Sequence, residues 1–258
     1  MKILVCVKQV PDTNTKVQVK ADKSGIETNG IKWVLNPYDE FAVEEAIKLR
    51  DANAGSQLFV VTLGPKARVV DTLRTALAMG ADEAMVVDAP ESIDNHATAK
   101  ALAAVITKEG PFDMVFTGKL AIDDQQGAVT QMIADFAKMP HASVISKFTK
   151  NDTVSTVERE VEGGSKEMIE IKGPFVLGAN KGLNTPRYAS LPGIMKAKKK
   201  TVKEFTLSDL GVSDSDIKVK ISNFSMPAER APVNMISGEA AAQVATLSKL
   251  LREEAKVL

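Results

Sequence analysis

The fold of this chain is decided by residues 57–87, which read QLFVVTLGPKARVVDTLRTALAMGADEAMVV. The run at 57–63 is short and apolar, Gly64 and Pro65 end it, and a helical pattern follows at 67–79. Gly80 ends the helix, and residues 83–87 form a second apolar run. A strand, a helix and another strand in this order are typical of a βαβ unit in a parallel sheet.

The same alternation continues on both sides of this unit. Short apolar runs at 3–7 and 114–117 predict further strands that are covered on both faces. Three more helices are predicted, at 38–54, 95–108 and 126–138. The first half of the chain therefore predicts an α/β fold with a parallel sheet.

The spacing of the apolar residues changes after the predicted helix at 126–138, which Pro140 ends. Strands are predicted at 142–148, 153–161, 166–171 and 175–179, and Gly163-Gly164 indicates a hairpin between the second and third of them. We expect these strands to extend or edge the sheet in antiparallel fashion.

The last part of the chain has little regular pattern. Residues 201–258 are interpreted as an extended C-terminal arm that ends in an amphipathic helix at 238–256, and residues 1–200 as the α/β domain. An arm with few internal contacts needs another surface for its apolar side chains. This part of the sequence therefore predicts a partner chain.

Composition excludes several classes of protein. The 258 residues carry 33 basic and 33 acidic side chains, so overall charge favours neither nucleic acid nor an anionic membrane. The single cysteine forbids an intrachain disulfide, residues 1–8 fit a buried strand better than a signal peptide, and no apolar run is long enough for a membrane span. We expect a soluble, cytoplasmic protein.

The residues that could do bond chemistry are few. The two histidines have no metal-ligand spacing, there is no cysteine pair and no Gly-x-Ser-x-Gly elbow, so neither a metal site nor a catalytic centre is predicted. Cys6 fits a small buried hydrophobic residue, although its place at a strand end would also bring it near a nucleotide.

Three segments follow strand ends, where open α/β sheets bind ligands: 8–12, 63–66 and 117–131. The third has the strongest pattern. A glycine, Gly118, follows the buried strand, and residues 126–130 open a helix whose free N–H groups suit a phosphate. The alternative is that Asp123 and Asp124 are only N-cap carboxylates, and spacing alone does not decide. Neither G-x-G-x-x-G nor a Walker A motif is present.

Five blocks of sequence together resemble the beta subunit of electron-transfer flavoproteins over nearly the whole chain. They are VCVKQVPD (5–12), NPYDEFAVEEA (36–46), TALAMGAD (75–82), GKLAIDD (118–124) and VEREVEGG (157–164). A sixth block, NTPRYASLPGIMKAKKK at 184–200, is similar to the same family and is the most specific of the six. The resemblance implies an adenine nucleotide hydrolase-like fold in a heterodimer with an alpha subunit.

The family resemblance also implies cofactors. FAD is held mainly by the alpha subunit at the shared interface, and the beta subunit carries a structural AMP, which is a second FAD in electron-bifurcating members. By matching motif, the cofactor-binding positions are Cys6, Lys8, Asn36, Asp39, Leu63, Asp123, Asp124, Gln126, Gly127, Ala128, Val129, Thr130 and Gln131.

The block at 184–200 matches the family's recognition loop for dehydrogenases. Its docking residues are Tyr188, Leu191, Pro192, Ile194, Met195, Lys196 and Lys199, with Leu191 as the anchor. An exposed leucine beside cations suits a transient interface, because the apolar side chain anchors and the charges speed encounter. Without aromatic residues among them, Lys196 to Lys200 indicate a solvated face or a patch that steers an acidic partner, not a nucleic-acid site.

One segment departs from the family. AMP-type members run Asn-Gln-Thr-Gly-Gln-Met where this chain has Gly127, Ala128, Val129, Thr130, Gln131 and Met132, and the bifurcating pattern is not matched either. Two hydrogen-bonding side chains are lost, and a threonine replaces a glycine. Whether AMP, FAD or nothing fills the site stays open at this point.

The function implied is that of an electron carrier and not an enzyme. It would take electrons from acyl-CoA and related flavoprotein dehydrogenases, as in fatty acid oxidation, and pass them to a membrane quinone oxidoreductase. Two alternatives are a bifurcating complex with a second FAD and an AMP-binding sensor of the same fold, although the sensor leaves residues 187–200 without a role.

Overall fold

The structure is a computed structural model that describes residues 1–258. The chain forms two compact units, of which the larger comprises Met1–Val17 and Glu27–Ser222, and the smaller comprises Gln18–Ile26 and Asn223–Leu258.

The larger unit is built on a nine-stranded sheet. Its strands are β1 (Lys2–Cys6), β4 (Gln57–Gly64), β5 (Glu83–Asp88), β6 (Met114–Gly118), β7 (His141–Thr149), β8 (Ser155–Glu160), β9 (Lys166–Ile171), β10 (Phe175–Ala179) and β11 (Val202–Thr206). They lie in the order β11-β5-β4-β1-β6-β10-β7-β8-β9. A short hairpin of β2 (Gln9–Pro11) and β3 (Trp33–Leu35) stands apart from the sheet. The predicted α/β class is confirmed.

Helices cover both faces of the sheet because its central strands are apolar on both sides. The helices of this unit are α1 (Pro37–Ala52), α2 (Lys66–Met79), α3 (Asn95–Glu109), α4 (Val129–Ala137) and α5 (Leu191–Lys199). In β1, Ile3 and Val5 face the core under α1 and α2, while Leu4 and Cys6 face the core under α3 and α4. This alternation makes two apolar layers that hold the strand ends in place.

The strand directions correct one prediction. In the nine-stranded sheet only β8 runs opposite to the other strands: it pairs antiparallel with β7 and with β9, and β8 and β9 form the predicted hairpin. Strands β7 and β10 run parallel with β6, contrary to expectation. The physical reason is burial: all five residues of β10 are buried between β6 and β7, as in a central parallel strand.

Three further predictions differ from the structure. Helix α4 begins at Val129, three residues after the predicted start at 126. The predicted recognition loop contains helix α5, and residues 201–222 belong with the sheet, because β11 pairs in parallel with β5. The arm therefore begins after Ser222 and not at residue 201.

The smaller unit contains the predicted C-terminal helix. Helix α6 (Ala240–Glu253) has no buried residue, and an isolated bridge joins Val19 to Ile26. Val233, Met235 and Leu247 are among its exposed apolar side chains. In neither unit does a helix combine the length and apolarity that crossing a membrane requires.

Candidate functional site

The strand order creates a crevice beside β1. The chain passes from β1 through α1 to β4 on one side, and returns from β5 through α3 to β6 on the other. Helices α1 and α3 lie on opposite faces. The carboxyl ends of β1 and β6 therefore form the switch point at which open α/β sheets bind ligands.

A buried carboxylate, Asp39, joins the two strand ends at the switch point. It lies in the first turn of α1, and its Oδ2 accepts a hydrogen bond of 2.6 Å from the backbone N–H of Lys8. Its Oδ1 accepts from the N–H of Gly118 and from Asn36 Nδ2, both at 2.9 Å. Because Asn36 also bonds the backbone of Leu120 and Ile122, one polar network positions β1, α1 and the chain after β6.

Burial governs the protonation of this network. It raises the pKa of Asp39 to about 7, against the three donated hydrogen bonds and the nearby Lys8 charge. Burial, and to a smaller extent the nearby charge of Asp39, also raises the pKa of the Cys6 thiol far above its ordinary range. Cys6 is therefore a protonated, buried thiol and not a nucleophile.

Lys8 joins two of the three predicted site segments, 8–12 and 117–131. Its Nζ lies 2.8 Å from Asp123 Oδ1 and 3.1 Å from Asp124 Oδ2. Burial opposes the ammonium charge, but the two carboxylates outweigh it and raise the pKa of Lys8. This cluster lies directly after the carboxyl ends of β1 and β6, where the sequence predicted a ligand.

Gly118 is required by close packing. A Cβ at this position would lie 2.3 Å from Asp39 Oδ1 and 2.9 Å from the backbone carbonyl carbon of Tyr38. The glycine thus lets β6 and α1 approach each other, which allows Asp39 to reach both strand ends.

The loop before α4 leaves helix donors free. The N-cap of α4 is Ala128 and no side chain caps the helix, so the N-cap alternative for Asp123 and Asp124 is wrong. Their oxygens instead accept from the N–H groups of Asp124 and Gln126 within the loop. Gln125 and Gly127 have φ of 52° and 58°, which turns the chain sharply into the helix.

Thr130 stands where the AMP-type pattern has glycine, and it is accommodated inside the protein. Its Oγ1 lies 2.6 Å from Thr117 Oγ1 and 3.3 Å from the Gly118 carbonyl. Gly178 makes the room, since a Cβ there would lie 3.3 Å from Thr130 Cγ2. The substitution therefore turns its polar group into the core and not toward the loop.

The other predicted positions have varied surroundings. Leu63 packs on the core under α3, and Gln126 accepts a hydrogen bond of 2.7 Å from Asn95 Nδ2. Gln131 donates through Nε2 to Ser143 Oγ at 3.3 Å, while its Oε1 is buried without a partner. Ser143 precedes Val144, which has a φ of 62° in the bulged strand β7.

Helix α5 and the residues just before it present the predicted docking residues. Tyr188, Leu191 and Met195 are 98%, 79% and 62% exposed, and Ile194 is also exposed. Lys196 and Lys199 lie in the last turn of the helix. We call this group of four apolar side chains and the neighbouring lysines the α5 surface.

The α5 surface is held firmly on its support. Arg187 binds both oxygens of buried Glu44 on α1, at 2.8 and 3.0 Å, and Lys200 Nζ binds the carbonyls of Ala81 and Asp82 at 2.8 and 2.7 Å. Arg74 on α2 binds two carbonyls at the end of α5. Gly193 permits the contact, because a Cβ there would lie 2.4 Å from the Ala78 carbonyl oxygen.

Sequence reasoning missed this helix although signals for it are present. Ser190 caps α5 by accepting from Gly193 N at 3.1 Å, and Pro192 lies in the first turn. Serine followed two residues later by proline is typical of a helix start. Pro186, Pro192 and Gly193 favoured a loop instead, because proline and glycine are typical of turns.

The fold and the crevice define a parallel α/β protein with a ligand-binding switch point. Comparison with known proteins narrows this class: the family model described as "Electron transfer flavoprotein domain" matches residues 24–210. The chain is 41% identical to electron transfer flavoprotein subunit beta of Bradyrhizobium diazoefficiens over 258 residues and 37% identical to that of Bacillus subtilis over 263, each with full coverage of both chains. Identity to the Bos taurus subunit is 41% over 234 residues, which is 89% of this chain and 90% of the relative. The chain belongs to the beta-subunit family of electron-transfer flavoproteins, as the motifs indicated.

Proposed function

We propose that this chain pairs with an alpha subunit to shuttle electrons from flavoprotein dehydrogenases to a membrane quinone reductase, from the cytoplasm. FAD at the shared interface would carry the electrons. The chain itself would position the cofactors and present the α5 surface. The observation that carries this proposal is the α5 surface: its apolar side chains are exposed, while Arg74 binds the end of the helix and Arg187, just before the helix, binds buried Glu44.

The same proposal includes a partner chain that binds the smaller unit. Helix α6 buries none of its residues although its apolar side chains share a face. Such a helix gains stability by covering that face with another chain. An alpha subunit is the partner that the names of the relatives imply.

The hydrogen-bond donors at the start of α4 suit the phosphate of a nucleotide. The N–H groups of Val129, Thr130 and Gln131 are first-turn donors that α4 cannot satisfy itself, and no side chain caps them. Asp123 and Asp124 are acceptors suited to ribose hydroxyls. We propose that these residues, with Gly127 in the turn, hold AMP, and that the Thr130 hydroxyl stays in the core.

Co-expression with the alpha subunit tests the main proposal. We expect a yellow heterodimer once FAD is supplied, and a colourless one would contradict it. Mass spectrometry of the small molecules released from that heterodimer separates AMP from a second FAD. One FAD and one AMP per heterodimer is the expected result.

Substitution of the anchor tests the docking role. Leu191→Ala should slow reduction of the heterodimer by a dehydrogenase about tenfold or more, as at other apolar anchors, with flavin content unchanged. Met168→Ala is the matched control, because Met168 is similarly exposed, at 65%, on the distant strand β9. Equal reduction rates in both variants would remove Leu191 from the docking surface.

A further inference from the structure

The first turn of α3 contacts two segments that are far apart in sequence. One is residues 213–219, which lead toward the C-terminal unit, and the other is the site loop, residues 123–128. Asp94 caps α3 by accepting from Ala97 N at 2.9 Å through Oδ1. Its other oxygen, Oδ2, accepts from the N–H groups of Lys218 and Val219 at 2.7 and 2.9 Å.

Two neighbours of Asp94 strengthen the contact with the 213–219 segment. His96 Nδ1 lies 2.8 Å from the Asp216 carbonyl oxygen, and Lys100 Nζ lies 2.6 Å from Asp216 Oδ1. The His96 ring also packs edge-on against Phe136 of α4, with 5.2 Å between ring centroids. The segment is therefore fixed to the same turn that supports α4.

The adjacent residue contacts the site loop. Asn95 Nδ2 donates to Gln126 Oε1 at 2.7 Å. Asp94 and Asn95 are consecutive, so one backbone unit carries the hydrogen bonds to both segments. Groups in one hydrogen-bond network respond to each other's removal, because the loss of one anchor lets the shared support relax.

We propose that the first turn of α3 couples the site loop to the 213–219 segment, with Asn95 as the positioning residue for Gln126. An ordered site loop then favours an ordered 213–219 segment, and an ordered 213–219 segment equally favours an ordered site loop. The coupling itself needs no ligand. Only its meaning for a nucleotide and a partner subunit rests on the proposed function.

Amide hydrogen exchange of the full chain without nucleotide tests the coupling. Asn95→Ala removes the amide that donates to Gln126 and leaves no polar group to replace it, while alanine is well tolerated in a helix. Exchange of the Lys218 and Val219 amides should then rise about threefold to tenfold, although the substituted side chain touches neither residue. In the opposite direction, Asp94→Asn keeps a capping oxygen but loses the Oδ2 acceptor, and exchange at residues 126–128 should rise by a similar factor.

Lys203→Ala is the control, because its ion pair is with Glu109 at the other end of α3. It should leave both segments unchanged, and amides in β1 and β6 report whether each variant keeps its fold. The coupling is overturned if Asn95→Ala speeds exchange in the site loop alone. Since no nucleotide is added, this result is independent of whether AMP binds in the crevice.

Discussion

Asp39 is the residue whose ionisation the fold controls most strongly. Its pKa is about 7 in the folded chain because it is buried, whereas an unfolded aspartate ionises near pH 4. Between these values the folded state binds one more proton than the unfolded state. The contribution of Asp39 to stability is therefore complete below about pH 4 and is lost as the pH rises toward 7.

Asp39→Asn should flatten this dependence. We expect the free energy of unfolding of the natural chain to fall between pH 5 and pH 7 by up to about 1.4 kcal/mol per unit from this group, and the slope of the variant to be smaller. Urea denaturation at pH 5, 6, 7 and 8 measures both slopes. Equal slopes would show that Asp39 is ionised throughout.

Gly118→Ala tests the close approach of β6 and α1. The added Cβ meets Asp39 Oδ1 and the backbone of Tyr38 inside 3 Å, so the elements must separate. We expect a loss of about 1–3 kcal/mol in the free energy of unfolding. Gly25→Ala is the control, since nothing lies within 4 Å of a Cβ there, and it should change stability by less than about 0.5 kcal/mol.

Among the elements, α5 depends on a single capping residue. Ser190→Ala removes the acceptor for Gly193 N and should cost about 1 kcal/mol of local helix stability. Faster amide exchange across Leu191–Lys199, with β1 unchanged, is the expected result. Ser92→Ala, at a loop position outside every helix and strand, should have no such effect; equal exchange in both variants would show that the contacts with α2 alone maintain the helix.

The elements also show how far the sequence predicts this structure. Strands β1, β4, β5 and β6 were predicted within one residue or so, because a short continuous apolar run between turn residues is typical of a buried strand. The parallel direction of β10 was missed, since a short apolar run does not state which neighbour it pairs with. The Lys8 cluster was expected from topology, but Asn95 was not, because a contact over 31 residues leaves no local pattern.

For the whole molecule, zero net charge means that any electrostatic steering must be local. If Lys196 and Lys199 steer a dehydrogenase, replacing both with glutamine should lower the association rate about threefold to tenfold at low salt and weaken its salt dependence. Stopped-flow reduction at several ionic strengths measures this. Lys172→Gln with Lys181→Gln removes the same charge elsewhere on the exposed surface, and an equal effect there would exclude local steering.

The two outer strands of the sheet affect how the chain behaves before it binds a partner subunit. Strand β11 exposes Lys203 and Glu204, and β9 exposes Lys166, Glu167 and Glu170, so both open edges carry charges of each sign. A second copy that tried to extend the sheet would have to desolvate these charges. Addition of a strand from a second copy is therefore disfavoured at either edge, which protects the unpaired chain against strand-to-strand aggregation.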